Sequence, residues 1–202
     1  MKRLLFFIIL ITIFGSCTRP KKSHWKVIWS AQLYDYKGVP GDSIFNSYFY
    51  LGYYFELNDS GSAKIINHKV FGGNHEHYKL DLNQGLTSKI FKLVSNEKAF
   101  VKMRKPKEGY YSEGPTYKLE YKTDTISRYC FLKEQWANSI QNEIFKIFDS
   151  IKVSCKKIPI EPFDIKDYED KTDIQMKKDS LSPPPVKKMI KFIPPIMQKE
   201  NQ

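Results

Sequence analysis

Three observations predict an α+β fold: an antiparallel β-sheet of meander and hairpins with two helices packed on one face, plus a disordered Pro/Lys-rich C-terminal tail. Residues 48–82 read as three strands joined by two glycine-bearing turns, the pattern of a meander. Trp136, Ile140, Ile144, Ile147 and Ile151 recur at spacings of 4, 4, 3 and 4, which draws one apolar stripe along a helix. Seven of the 11 prolines lie from Pro159 onward, among mostly charged residues. Antiparallel strands punctuated by helices put those helices on one face of the sheet.

The first element is not part of the fold. Lys2 and Arg3 precede an apolar run, Leu4 to Phe14, and Gly15 and Ser16 supply small residues before Cys17. The run has 11 residues, whereas crossing a bilayer takes roughly 20. Phe14-Gly15-Ser16-Cys17 resembles the lipobox of bacterial lipoproteins, with Phe14 standing where that pattern more often has Leu. The resemblance implies that residues 1–16 are a cleaved signal peptide and that Cys17 becomes an acylated N-terminus. Several acyl chains would hold the protein firmly on a membrane, each buried methylene contributing about 0.8 kcal/mol. Thr18 stands where an Asp would signal inner-membrane retention in some Gram-negative bacteria, so the resemblance favours the outer membrane there. Residues 17–23 then read as a lipidated tether, 24–156 as the α+β domain and 157–202 as a proline-rich flexible tail.

Within the domain, Trp25, Val27, Trp29, Ala31 and Leu33 alternate with the period of a half-buried strand, broken by Gly38, Pro40 and Gly41. Asp59-Ser60-Gly61 suits a three-residue hairpin loop with Gly61 in the left-handed region. It sets Leu57 opposite Ala63, Phe55 opposite Ile65 and Tyr53 opposite Asn67. Gly72-Gly73 suits a two-residue loop, which sets Ala63 opposite Leu82, Ile65 opposite Leu80 and Asn67 opposite Tyr78. The two registers share one apolar face and give the other a charge-complementary row of Glu56, Lys64 and Asp81.

A helix is expected over Thr87 to Asn96, capped by Thr87 and burying Ile90, Phe91 and Val94. Phe100 to Met103 reads as a short strand, and Arg104 to Pro115 as a loop. Tyr117 to Tyr121 and Ile126 to Leu132 form a second hairpin, with Glu120 opposite Arg128 if Thr123-Asp124-Thr125 turns. The long helix spans Lys133 to Val153. After it, the apolar patch Met189, Ile190, Phe192, Ile193, Ile196 and Met197 either meets a partner groove or rests on its own domain.

The chain of 202 residues has 13 Tyr, 14 Phe and 3 Trp, side chains that suit strands and bury large areas. Its formal charge is +11, which falls to +9 once Lys2 and Arg3 are removed. Such an excess favours anionic partners, or simply gives a well-solvated surface. Export argues against nucleic acid, leaving the membrane, an envelope protein or an anionic polymer as partners. Besides Cys17 there are only Cys130 and Cys155, which can pair in an oxidising compartment or remain two separate thiols. A disulfide closing a loop of that length contributes roughly 3 kcal/mol in the chain-entropy model.

One constellation carries possible chemistry. The second hairpin register sets His68 opposite His77, with His75 two residues away on the same face, three imidazoles able to hold zinc, copper or nickel. That makes a metal-binding protein or metal-dependent hydrolase the alternative to a non-catalytic binding or assembly module, with no other cofactor implied. G-x-S-x-G, H-E-x-x-H, P-loop and G-x-G-x-x-G patterns are absent. Glu108, Glu113, Glu120 and Asp124 have no fixed separation, so no acid and base pair can be read among them. Tyr110 and Tyr111 either stack on a sugar or protein partner or cover the sheet edge.

Overall fold

The computed structural model describes residues 24–38, 45–68, 75–103 and 114–181. In chain order these hold β1 (Trp25–Gly38), β2 (Phe45–Asn58), β3 (Ser62–Asn67), β4 (Glu76–Asp81), α1 (Gln84–Val94), β5 (Thr116–Thr123), β6 (Ser127–Leu132), α2 (Ser139–Ser154), β7 (Ile158–Pro159) and α3 (Lys166–Lys178). Among the described residues the strands form one sheet in the order β6-β5-β1-β2-β3-β4-β7. Every pairing in it is antiparallel. The α+β class is therefore correct. No helix among the described residues is long and apolar enough to cross a membrane.

The first hairpin turn forms as its residues require. Gly61 sits at φ +86°, and Asn58 holds the turn by accepting from the Ser60 and Ser62 amides. Leu57, Phe55 and Tyr53 pair with Ala63, Ile65 and Asn67 as expected. The next hairpin is shifted by two residues from the expected register: Ala63 faces Leu80, Ile65 faces Tyr78 and Ile66 faces His77. A two-residue shift keeps side-chain parity, so the common apolar face survives. The charge row does not, because Lys64 now faces Lys79 while Asp81 faces Ser62.

That apolar face forms the main core. Val27, Trp29, Phe55, Leu57, Ile65 and Leu119 from the sheet pack with Ile90 and Val94 of α1 and with Ile144, Phe148 and Ile151 of α2. Trp29 lies parallel to Phe148 at a centroid distance of 5.0 Å and meets Phe145 edge-on at 4.9 Å. Each such pair contributes about 0.5–1.5 kcal/mol beyond its burial.

Both core helices start at asparagines. Asn83 caps α1 by accepting from the Leu86 amide at 2.9 Å, so Thr87, the expected cap, lies buried inside the helix. Phe91 stays 38% exposed, touching Trp25 at 5.3 Å. Asn138 and Gln141 form a reciprocal capping box that starts α2 at Ser139, six residues after the expected start. Trp136 is left in a separate short turn, 37% exposed. Gln141 also donates to the carbonyls of Ala99 and Val101 beside a 3₁₀ turn, Glu97–Phe100. The strand expected over Phe100 to Met103 does not form, since Phe100 ends that turn and residues 101–103 are irregular.

The largest departure is at the C-terminal side. β7 pairs with β4, and α3 lies on the sheet face opposite α1 and α2. Residues 157–181 are thus folded, and the expected boundary at 156 falls inside the domain. Pro159 ends an edge strand, where proline's missing donor costs little, and no proline lies between Pro162 and Pro183 to interrupt a helix. The remainder of the expected tail, residues 182–202, lies outside the described residues. So do residues 1–23 with Cys17, the Gly38-Pro40-Gly41 break beyond Gly38, the Gly72-Gly73 turn, and Glu108, Tyr110, Tyr111 and Glu113.

Candidate functional site

The second sheet face is built from the residues between the core positions. β1 is buried on both faces, since Ile28, Ser30 and Gln32 are covered as fully as Val27 and Trp29, so the expectation of a half-buried strand fails there. β2 keeps its pattern through a bulge: pairing shifts between Ala31 and Gln32, leaving Gly52 as the extra residue, and Leu51 joins Tyr54 on the second face. A Cβ at Gly52 would stand 2.4 Å from Leu33 Cδ1, so a side chain there would have to displace Leu33.

Beneath α3 this face is charged. Lys118 and Glu120 of β5 have 0% and 1% of their side chains exposed, and Lys118 Nζ lies 2.9 Å from Glu120 Oε2. Lys122 and Lys171 reach Glu120 Oε1 at 2.7 and 3.0 Å. Lys118 also donates to Thr172 Oγ1 at 2.9 Å and sits 4.4 Å from the centre of the Tyr168 ring. Tyr168 reaches Ser30 Oγ at 2.8 Å. Tyr168, Thr172, Gln175 and Met176 are the buried residues of α3, and they lie on one side of it. Burial lowers the Lys118 pKa, against the opposing pull of Glu120. Burial alone would raise that of Glu120, but hydrogen bonding from Lys122 and the charge of Lys118 outweigh it and hold the carboxyl below its ordinary range.

Glu120 lies opposite Ile28 of β1 and so shares the second face, under α3, while the β5–β6 turn differs from the expected one by a single residue. Thr123 N donates to Ile126 O across Asp124 and Thr125, and the Thr123 hydroxyl accepts from the Thr125 and Ile126 amides. Glu120 therefore faces Tyr129, not Arg128. No motif announced this network. A lysine and a glutamate two apart in an otherwise apolar strand, YKLEY, was its sole signal.

At the other margin of the same face lie the three predicted histidines. The shifted register places His68 beside His75, with Nδ1 atoms 3.2 Å apart, one ring donating and the other accepting. His75 and His77 follow on the same side of β4, their rings 6.5 Å apart. The His77 ring meets Phe163 edge-on at 4.9 Å, and its Nδ1 accepts the Phe163 amide at 3.4 Å. Burial lowers the pKa of His68 and of His77, and the charge of His75 lowers both further. The imidazoles form a row and do not converge. Among the described residues no group of three or more His, Cys, Asp or Glu side chains is placed to hold a metal ion, so the shared metal site expected from the Gly72-Gly73 register is not formed.

Ring contacts continue in both directions, and toward β2 they pass round the end of β3, because Tyr50 and Tyr48, opposite Leu33 and Asp35, project from the side of β2 away from Leu51. Tyr48 lies 6.2 Å from Tyr50, Tyr50 5.1 Å from His68, and His68 4.6 Å from His75. Beyond His77 and Phe163, Tyr54 at 6.4 Å leads to Tyr168 on α3. Lys64 Nζ stands 5.2 Å from the centre of the Phe163 ring.

Cys130 and Cys155 are both free. The Cys130 thiol is buried on β6 and directed at the Ala99 carbonyl at 3.4 Å, while Cys155 ends α2 beside Tyr53 on β2. β6 and β2 are three strand spacings apart, about 14 Å, which exceeds disulfide reach. Asp124 is exposed in its turn, apart from Glu120. Comparison with protein-family models gives no match, and neither does comparison with curated proteins or with solved structures.

Proposed function

We propose that this protein is a membrane-anchored envelope lipoprotein, a non-catalytic binding module held by acyl chains on Cys17 after removal of residues 1–16. The lipobox-like Phe14-Gly15-Ser16-Cys17 supports the anchoring. Seven residues lie between Cys17 and Trp25, so the eight backbone steps make a leash of at most about 28 Å that would keep the sheet close to the membrane surface. Where Gram-negative sorting applies, Thr18 favours the outer membrane.

The observation that carries the binding reading is the run of rings from Tyr48 through His68 and His75 to Phe163. Aromatic side chains with polar edges are enriched where partners dock, because one group supplies contact area and hydrogen bonds at low entropy cost. Here the run passes exposed positions, Tyr48 at 44% among them. The buried charges under α3 instead hold the fold together.

A photo-reactive amino acid placed at Tyr48 or His75 tests this in cells, with a control at Val153, which is 84% exposed on α2. Adducts with an envelope component from the first two positions and none from Val153 are expected, together with loss of fatty-acid labelling in Cys17→Ala. Equal yields from all three positions would remove the assignment, and fatty-acid labelling that persists in Cys17→Ala would remove the anchor.

A further inference from the structure

We infer that the ring run is a binding strip for an acidic polysaccharide, an inference that rests on the binding reading and names its partner class. Of the six rings from Tyr48 to Phe163, only Phe163 lacks a polar atom. Successive rings lie 6.2, 5.1, 4.6, 6.5 and 4.9 Å apart and are tilted by 46° to 79° to one another, a staggered series with a spacing comparable to one sugar ring. A sugar presents a C–H face that stacks on a ring and a rim of hydroxyls that bonds to phenol and imidazole edges. An acyl chain or an apolar helix would leave those edges unpaired, which costs free energy in a closed interface.

Charge specifies the acidic member of that class. Lys64 and Lys79 stand directly opposite each other on β3 and β4, both exposed and on the same face as His77. Like charges in that position destabilise a sheet. Neither lysine forms an ion pair among the described residues. Glu56, across from Lys64 on β2, is engaged by Lys26 at 3.0 Å and by the Tyr54 hydroxyl at 2.6 Å. A carboxylate on a polymer stacked along His77 and Phe163 would meet both ammonium groups. Glu169 of α3 faces His75 and limits the strip on that side.

The test uses the full-length protein in detergent and follows its retardation in native gels containing a dissolved polymer. Alginate, polygalacturonate and hyaluronate are the acidic glycans, dextran the neutral glycan and polyglutamate the non-sugar polyanion. Retardation by at least one acidic glycan is expected, at least tenfold stronger than by dextran or polyglutamate. It should fall at least tenfold in Lys64→Gln/Lys79→Gln and in each of Tyr48→Ala and Tyr50→Ala, while Val153→Ala is unchanged. Failure with all three acidic glycans overturns the inference. Equal retardation by polyglutamate with no effect of the tyrosine variants also overturns it, as does equal retardation by dextran with no effect of the lysine variants. Protein adducts at Tyr48 or His75 in cells without glycan binding would overturn the polysaccharide alone, whereas absence of both would remove the binding reading itself.

Discussion

Replacing Glu120 with glutamine leaves the ammonium of Lys118 in a site with no exposed surface, facing a neutral amide, one hydroxyl at 2.9 Å and the Tyr168 ring at 4.4 Å, with no counter-charge at its side. Removing one member of a buried pair in this way costs about 3–5 kcal/mol. The reciprocal change, Lys118→Met, should cost less. Glu120 would keep Lys122 and Lys171 at 2.7 and 3.0 Å, both partly exposed and able to follow it, while methionine fills the space of the lysine stem. What is lost is one buried ion-pair contact at 2.9 Å, comparable to a hydrogen bond to a charged group, about 1.5–3 kcal/mol. The two variants should therefore differ by about 2 kcal/mol, or about 4–8 °C in Tm for a domain of this size. The double variant Lys118→Met/Glu120→Gln should be more stable than Glu120→Gln alone, because no buried charge is then stranded. Urea unfolding followed by the fluorescence of the buried Trp29 measures all four proteins. Equal losses in the two single variants, or a double variant less stable than either, would show that the network does not share its charge as the distances indicate.

Glu120 also sets an acid limit. Its folded carboxyl lies below its ordinary value near 4.3, so its contribution is present above that pH and is lost as pH falls further. A fall in stability below about pH 4.3 that is shallower in Glu120→Gln, followed by thermal melts across pH, is the expected result. Gly61→Ala should destabilise by about 1–3 kcal/mol in chemical unfolding, since φ is +86° and the new Cβ would stand 2.8 Å from the Leu82 carbonyl oxygen. Cys155 should react with a thiol reagent in the native protein. Cys130, buried and with its pKa pushed up to about 12 by burial and the Asp179 charge, should react only on unfolding. Asn138→Ala removes the capping box of α2 and should cost about 1 kcal/mol in the same unfolding assay.

The parts of the fold legible in the sequence are those decided locally. Asn58 to Ser62 fixes its own turn, so the β2–β3 register follows from five residues, and the Ile144, Ile147 and Ile151 stripe marks α2 without outside help. The β3–β4 ladder is not local in that sense. Its connection lies between residues 68 and 75, and two candidate registers share parity, so hydrophobic pattern cannot choose between them. The His68–His75 contact depends on that choice. α3 was hidden for a different reason: it buries Thr172 and Gln175 beside Tyr168 and Met176, so its inward face shows little apolar periodicity. The buried pair on β5 was hidden likewise, because an alternating strand with Lys and Glu between apolar residues reads as one wet face until something is known to cover it.

The long sequence distance across the second face also bears on how the chain reaches its fold. Ser30 and Tyr168, 138 residues apart, touch through their hydroxyls, so the first strand to emerge waits for one of the last elements to cover it. Pairing between such distant segments is slow, so the second face stays uncovered while the rest of the sheet assembles. Over that interval an apolar second face would invite self-association. The serine, glutamine, lysine and glutamate on β1 and β5 instead keep it wettable, so the polar groups that are paired in the finished layer also protect the unfinished one.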